Sequence, residues 1–393
     1  MNYKVSHPTK KIFCEIDLPA SKSISNRLLI ISALCLNKFK IQNLSDSQDT
    51  MSLKNAIDSN NRTLDVGAAG TSFRFLTAFL STLDGLEYIL TGSERMKERP
   101  IKELVDSLRK LGAEIEYLGK ENFPPLKITG KNLTGGKIQI DGSISSQFIS
   151  ALLLIAPNLK NGIELEIVGG IVSKPYIKMT LSLMKYFGVN YDWEDNIIYV
   201  KSQKYIAKDY KVESDWSSAS FWYQIASLSE NCNIKIRGLD KKSIQGDMRL
   251  IDLFNRLGVN SEFIRNNLIL TKNNNLNVPK LIDLIDTPDL YQPLRCTIFG
   301  LRKSSKFIGL STLKDKETDR VRSLDKELKK IKSSKIINTY QDHRMAMCFA
   351  PLCIVFGELQ INNVEVVNKS YQKFWEDLEL AGFKITPLTP INH

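Results

Sequence analysis

Histidine is scarce in this 393-residue sequence, which has only His7, His343 and His393. Its six cysteines (Cys14, Cys35, Cys232, Cys296, Cys348 and Cys353) form no CxxC pair. A structural zinc site or a His-based metal centre therefore has few possible ligands, and no metal or cofactor is expected. Cysteines scattered through apolar runs read as buried free thiols rather than a disulfide framework. Long hydrophobic runs are also missing. The richest, Leu28–Leu36, is interrupted at Ser32 and falls well short of the ~18 residues a membrane span needs. The opening Met-Asn-Tyr-Lys-Val-Ser-His-Pro lacks the apolar stretch of a secretory signal, so a soluble, cytoplasmic protein is expected.

What is abundant is positive charge. Fifty-four Lys and Arg face 43 Asp and Glu, a formal charge of +11. The 42% hydrophobic and 25% charged fractions are those of a globular protein. At roughly 100–200 residues per domain, the length implies two or more domains. An excess of this sign serves either nucleic acid or a pocket for small anions. The nucleic-acid reading calls for an exposed basic stripe with interleaved aromatics. Many lysines lie in plain surface stretches such as Lys326–Lys330, so the local context of the others decides.

One phrase recurs along the chain: an amphipathic helix, a glycine, then a short extended segment. It appears at Leu108–Ile115, Leu183–Asn190, Leu253–Asn260 and Leu378–Ile385, with the glycine at Gly112, Gly188, Gly258 and Gly382. Glycine just past the last apolar position is the expected helix C-cap, since it takes up the left-handed conformation without a Cβ penalty. Two degenerate copies, around Leu53–Ile57 and Leu324–Ile331, lack the glycine and much of the hairpin. Six units spaced by roughly 50–75 residues suggest a duplicated α/β element.

A second phrase opens the other helix of most units, where small, hydroxyl or charged residues run into an apolar stretch. Ser21–Arg27 precedes Leu28–Leu36, and Gly67–Thr71 precedes Phe73–Leu80. Ser145–Gln147, Asp215–Ser218 and Asp342–Arg344 stand before three further helices. Such residues cap helix starts, and the exposed N–H groups there attract anions. Lys22, Arg27, Arg74 and Arg344 add charge at the same places. A set of these starts aimed at one cleft would make it strongly electropositive.

Leu18-Pro-Ala-Ser-Lys-Ser-Ile-Ser-Asn-Arg27 resembles the opening signature of the enolpyruvylshikimate-phosphate synthases. Further blocks similar to that family follow in order: Gly67–Arg74, Arg95–Ile101, Ser145–Phe148, Ser173–Tyr176, Gln245–Asp247, Pro288–Asp289, Lys316–Arg320 and Asp342–Met347. The resemblance spans nearly the whole chain. It implies a two-domain inside-out α/β architecture, each domain built from three βαβαββ units. By analogy, residues 18–213 form one domain, mainly for shikimate 3-phosphate. Residues 1–17 and 214–393 form the other, carrying the acid and base groups and much of the phosphoenolpyruvate clamp. The family's helix starts point to a cleft that closes over substrates.

The implied reaction moves the enolpyruvyl group of phosphoenolpyruvate to the 5-hydroxyl of shikimate 3-phosphate, by addition and elimination without metal. Each substrate carries a phosphate and a carboxylate, which suits bidentate Arg and compact Lys. Matching motifs assign Lys22, Ser23, Arg27, Ser145, Ser146, Gln147, Ser173, Tyr176, Asp289 and Lys316 to shikimate 3-phosphate. They assign Lys22, Gly70, Arg99, Gln147, Arg320, Arg344 and Lys369 to phosphoenolpyruvate, with Thr71 beside Gly70. Asp289, aided by Lys22, is the implied base at the 5-hydroxyl, and Glu317 the implied proton donor to C3. Lys316 and Arg320 flank Glu317 and would oppose its holding a proton. The resemblance also implies a monomer acting on small molecules, with neither nucleic acid nor membrane as partner.

The chain departs from the family pattern in places. Ala68 stands where Asn is common, and Thr312 replaces an Asn often found before the Lys316–Arg320 block. Phe75 replaces a frequent Pro, so inhibitor sensitivity does not carry over. The enolpyruvyl transferase acting on UDP-N-acetylglucosamine shares the fold but usually carries a loop Cys in its first-half domain. No Cys occurs here between Cys35 and Cys232. A degenerate, ligand-binding relative is the other alternative.

Overall fold

The computed structural model describes residues 1–265 and 267–388; His393 lies outside them. Strands form where apolar residues alternate. Ile163, Leu165 and Ile167 are buried along Ile163–Val168, as are Cys232, Ile234 and Ile236 along Asn231–Arg237. The chain divides into two units, one continuous (Lys22–Val212) and one discontinuous (Met1–Ser21 with Glu213–His393).

Each unit holds two four-stranded sheets and one two-stranded pair among the described residues. In the continuous unit one sheet runs Thr63–Asp65, Glu87–Thr91, Leu126–Thr129, Glu114–Tyr117. The other runs Gly136–Asp141, Ile163–Val168, Ile197–Val200, Asp192–Glu194. In both, the first two strands are parallel and the last two join antiparallel. The discontinuous unit repeats this order with Lys11–Asp17, Asn231–Arg237, Asn267–Leu276 and Leu257–Ile264. Its second sheet runs Ile336–Ile337, Leu359–Asn362, Asn2–Ser6, Lys384–Leu388, so the N-terminal strand pairs between two strands from the far end of the chain. The two-stranded pairs are Ile41–Gln42 with Tyr210–Lys211, and Leu281–Asp283 with Lys306–Ile308. They accompany the helices Gln48–Asp58 and Arg320–Lys330, where the sequence lacks the glycine and hairpin.

Three of the four expected glycine caps close their helices with paired backbone bonds. Gly112 N–H donates to Arg109 O and Ala113 N–H to Leu108 O, and the same pattern recurs at Gly188 and Gly382. All three glycines have positive φ. Gly258 differs: its helix, Leu250–Asn255, ends earlier, and the glycine sits in a register shift of the strand Leu257–Ile264.

Each unit is centred on three mutually packed helices. In the continuous unit these are Lys22–Leu34, Gly70–Leu80 and Ser146–Ile155. Within the last two, only Thr71 and Gln147 escape burial. The discontinuous unit uses Trp216–Leu228, Tyr291–Gly300 and His343–Phe349, and Ser217 alone escapes burial on the first. A helix buried all round needs no amphipathic stripe, and what remains accessible is its first turn. The expected caps are partly the helices themselves: Lys22–Arg27 forms the first two turns of its helix rather than a lead-in. The stretch after Arg344 is α-helical only to Phe349, then passes through a 3-10 turn at Ala350–Leu352 containing Pro351.

The boundary also shifts from 17/18 and 213/214 to Ser21/Lys22 and Val212/Glu213. Ser21 N–H donates to Glu213 O at 2.8 Å, and Ala20 bridges Ser214. Gln245 accepts from Ser21 Oγ and the Trp216 N–H, and donates to Ser214 O. Residues 18–21 are thus hydrogen-bonded into the discontinuous unit. No helix among the described residues is long and apolar enough to cross a membrane.

Away from the helix starts, the interior of the discontinuous unit holds a carboxyl of note. Asp377 is buried and accepts from Tyr371 Oη at 2.6 Å, which in turn accepts from Trp222 Nε1 at 3.2 Å. Burial raises its pKa from 3.8 to about 6, against the Tyr371 hydrogen bond and Lys373. A carboxyl raised in the folded state contributes stability that is complete below its unfolded pKa and is lost as pH rises through about 6. Asp377→Asn should therefore stabilise the fold at about pH 8, by up to about 3 kcal/mol and with a higher melting temperature, and change it little at about pH 4. Thermal denaturation at both pH values checks this, and an equal shift at both would refute it.

Candidate active site

In the continuous unit, four helix starts are tied to one another. Lys22, the first residue of Lys22–Leu34, reaches Asp49 Oδ2 at 2.9 Å. Asp49 lies in the first turn of Gln48–Asp58, which Ser47 caps, and its backbone oxygen accepts from Ser72 Oγ at 2.7 Å. Gln147 Nε2 donates to Thr71 Oγ1 at 3.1 Å, joining the helices Ser146–Ile155 and Gly70–Leu80. Gly70 begins a helix whose N-cap, Ala69, supplies no side-chain hydrogen bond. A Cβ on Gly70 would lie 2.4 Å from Arg99 Nη1 and 2.6 Å from Arg74 Nη1, so a side chain there would displace these two largely buried guanidiniums. Backbone N–H groups, two guanidiniums and a nearby ammonium make this corner suited to a small multivalent anion.

Of the other expected residues of this unit, Ser23 and Tyr176 meet Arg27. That side chain is buried and donates to Thr180 Oγ1, Ser23 O, Ser150 Oγ and Tyr176 O. It also lies over the Phe75 ring at 5.4 Å, and burial pulls its pKa down to about 10. Arg27 thus braces the backbone behind Ser23 and Tyr176. Ser145 caps the helix Ser146–Ile155 by accepting from Gln147 N–H at 3.3 Å, and Ser146 is buried beside it. Ser173 takes a left-handed conformation, φ 55°, ahead of Lys174–Tyr186, and its carbonyl accepts from Tyr176 N–H.

Arg320 organises the discontinuous unit. Its Nε donates to Asp342 Oδ2 at 2.7 Å, Nη1 to Asp289 Oδ1 at 2.9 Å, and Nη2 to Glu317 Oε2 at 2.7 Å. Asp342 is fully buried and also caps the helix His343–Phe349 through Arg344 N–H. Arg344 holds Asp289 twice, at Oδ2 and at the backbone oxygen, both at 3.1 Å. Lys369 reaches Glu317 Oε1 at 3.0 Å, and Lys316 approaches Asp289 at 3.9 Å. His343, also buried, lies 3.7 Å from Asp342 through Nδ1.

The charge pattern follows from these contacts. Burial alone would raise the Asp289 carboxyl, but Arg344, Lys316 and Arg320 hold it well below the usual carboxylate range. Burial works against the Arg320 charge, and Asp342, Glu317 and Asp289 more than restore it. Asp289 is therefore ionised but weakly basic in this arrangement. An incoming anion that draws the guanidiniums away would increase its basicity. Both Glu317 oxygens contact cations.

Tertiary packing assigns partners that local sequence does not reveal. Asp49 sits in an ordinary capping pattern, and Asp342 in a helix-start triplet; neither pattern reveals its cation. Thr312 Oγ1 is buried with no hydrogen-bond partner. Among the described residues, no group of three or more His, Cys, Asp or Glu is arranged to hold a metal ion.

Comparison with known proteins converges on one family. Residues 6–59 and 51–378 match the family described as EPSP synthase (3-phosphoshikimate 1-carboxyvinyltransferase). A 3-phosphoshikimate 1-carboxyvinyltransferase of Bacteroides fragilis is 46% identical, over 98% of this chain and 99% of its own length. One from Psychromonas ingrahamii is 35% identical over 96% and 99%. A solved EPSP synthase structure from Acinetobacter baumannii shares the fold, with a TM-score of 0.78, 19% identity and coverage of 98% of this chain and 100% of that one.

The crowding at Gly70 gives a direct test of the anion corner. Gly70→Ala should displace Arg99 and Arg74 and weaken binding of inorganic phosphate by about tenfold, or about 1.4 kcal/mol. Calorimetric titration measures it, and undiminished affinity would remove Gly70 from the site.

Proposed function

The chain belongs to the EPSP synthase family, and we infer that it transfers the enolpyruvyl group of phosphoenolpyruvate to the 5-hydroxyl of shikimate 3-phosphate. The products are inorganic phosphate and the enolpyruvyl ether, on the route to chorismate and the aromatic amino acids. One observation carries the reading furthest: two carboxylates, Asp289 and Glu317, are wired through Arg320 to a cluster that also holds Lys316, Arg344 and Lys369. That is the equipment for moving protons on a multiply charged anion.

In this reading Asp289, with Lys22, takes the proton of the 5-hydroxyl as its oxygen attacks C2 of phosphoenolpyruvate. Glu317 gives a proton to C3, and a tetrahedral intermediate forms. The C2–O bond to phosphate then breaks while Glu317 recovers the C3 proton, and the hydroxyl proton leaves with phosphate. Charge stabilisation falls to Arg99, Arg320, Arg344 and Lys369, with Gly70 and Gln147 beside phosphoenolpyruvate. Ser23, Arg27, Ser145, Ser146, Ser173, Tyr176 and Lys316 serve shikimate 3-phosphate. Glu317 donates its proton only once its contacts with Arg320 and Lys369 loosen, which an anion competing for those cations would favour. The family resemblance extends this to a monomeric, cytoplasmic enzyme of small molecules.

Purified protein should release phosphate from phosphoenolpyruvate only when shikimate 3-phosphate is present. Binding of both without release would leave a ligand-binding protein in place of an enzyme. Asp289→Asn and Glu317→Gln should each lower kcat by about 10²–10⁴, with shikimate 3-phosphate affinity within severalfold of wild type. If both variants turn over normally, the proton assignments are wrong even where the activity is right.

A further inference from the structure

The motif Gln245-Gly-Asp247 takes no part in the chemistry above, yet it buries a carboxyl near Asp289. Asp247 lies in the 3-10 turn Gly246–Arg249 and is 2% exposed. Its Oδ2 accepts from Ser217 Oγ, the unburied position on the helix Trp216–Leu228. Its Oδ1 is buried with no hydrogen-bond partner. An ionised carboxylate has about four acceptor positions, so one hydroxyl is meagre solvation for a buried charge. Gln245 serves as a contrast, because its amide is spent on Ser21, Ser214 and Trp216.

Asp289, Arg344 and Asp215 are the charged groups that act on Asp247. Asp215 is committed to capping Trp216–Leu228 through Ser218 N–H and Oγ. On the same turn, Arg249 donates to Asp283 O, and Asp252 on the packed helix Leu250–Asn255 is exposed. Burial first, then Asp289, push the Asp247 carboxyl up to about 7, with Ser217 and Arg344 opposing. In the neighbouring cluster four cations, Lys316, Arg320, Arg344 and Lys369, meet three carboxylates, Asp289, Glu317 and Asp342. A fourth carboxylate would cancel the remaining positive charge.

We propose that Asp247 is a positioning residue whose proton sets the strength of the Arg344 anion site: protonated, it adds no charge beside the guanidinium, and ionised, it competes with the anionic substrate. The proton exchanges with water, and no bond to substrate forms or breaks at Asp247. The proposal rests on the reading that Arg344 holds phosphoenolpyruvate.

The test is the KM for phosphoenolpyruvate measured across neutral pH. In the wild type it should rise about tenfold as pH passes about 7, the scale of one added charge in a partly solvated site. Asp247→Asn should abolish that step; titration of the substrate itself is common to both proteins and cancels. Ser217→Ala removes the hydrogen bond that favours the charged form, so it should move the step to higher pH. A merely structural Asp247 would leave the step where it is in Ser217→Ala, and that result overturns the proposal, as does a step retained in Asp247→Asn. If Asp247→Asn fails to fold, Ser217→Ala carries the test. Infrared difference spectra separate this inference from the functional reading. A protonated-carboxyl band that disappears on raising the pH through about 7 in wild type should shift to higher pH in Ser217→Ala. Its absence overturns the proposal whether or not the protein turns over. The band without phosphate release would overturn the activity alone.

Discussion

A guanidinium cannot be buried unless its donors are met, and the discontinuous unit is arranged around meeting those of Arg320. The side chain is 2% exposed and bonded to Asp342, Asp289 and Glu317, which come from three separate segments. Removing one partner of such a buried set typically costs about 3–5 kcal/mol, because the remaining charge is left uncompensated. The same bonds place two candidate proton carriers beside each other and keep both ionic contacts under the control of one cation. On the proposed reading, structural need and chemical use are the same interaction. An anionic substrate would then compete for donors that already hold Asp289 and Glu317, linking its arrival to a change in their acidity.

Arg27 answers the same requirement differently in the continuous unit. It meets two hydroxyls and two backbone oxygens, so its partners are neutral and its burial lowers its pKa. Arg320 is surrounded by carboxylates that strengthen its charge. One guanidinium braces helix starts, and the other participates in a charge network. Arg99 and Arg74 form a third arrangement, packed so closely on Gly70 that a side chain there would push them aside. On the nearly fully buried helices Gly70–Leu80, Ser146–Ile155 and Trp216–Leu228, the first turn is the place left for accessible polar groups. That explains why Thr71, Gln147 and Ser217 are the exceptions to burial on their helices.

Much of this is legible in the sequence. The caps at Gly112, Gly188 and Gly382 follow from a glycine one residue beyond the last helical cap position, a local rule that needs no tertiary partner. Gly258 broke the pattern because a strand bulge, set by pairing with Asn267–Leu276, took the glycine instead. The mixed α/β fold and the family were readable because ordered motifs cover the chain. At Lys22 the sequence pattern places the helix start nearly two turns late, since a polar first turn resembles a lead-in and only the backbone bonds distinguish them.

The amino-acid sequence by itself determined where positive charge accompanies small and hydroxyl residues, which is local chemistry written in neighbouring positions. It thereby settled the family and narrowed a charge of +11 to a handful of named cations. Only the tertiary structure decided which carboxylate each cation meets: Asp49 for Lys22, and Asp342 for Arg320, 27 and 22 residues away in the chain. It also decided that Asp247, the acid of the Gln245–Asp247 block, lies buried with an unmatched oxygen. Partner choice and desolvation depend on which segments pack together, and no local pattern encodes the distance between residues that the fold brings into contact.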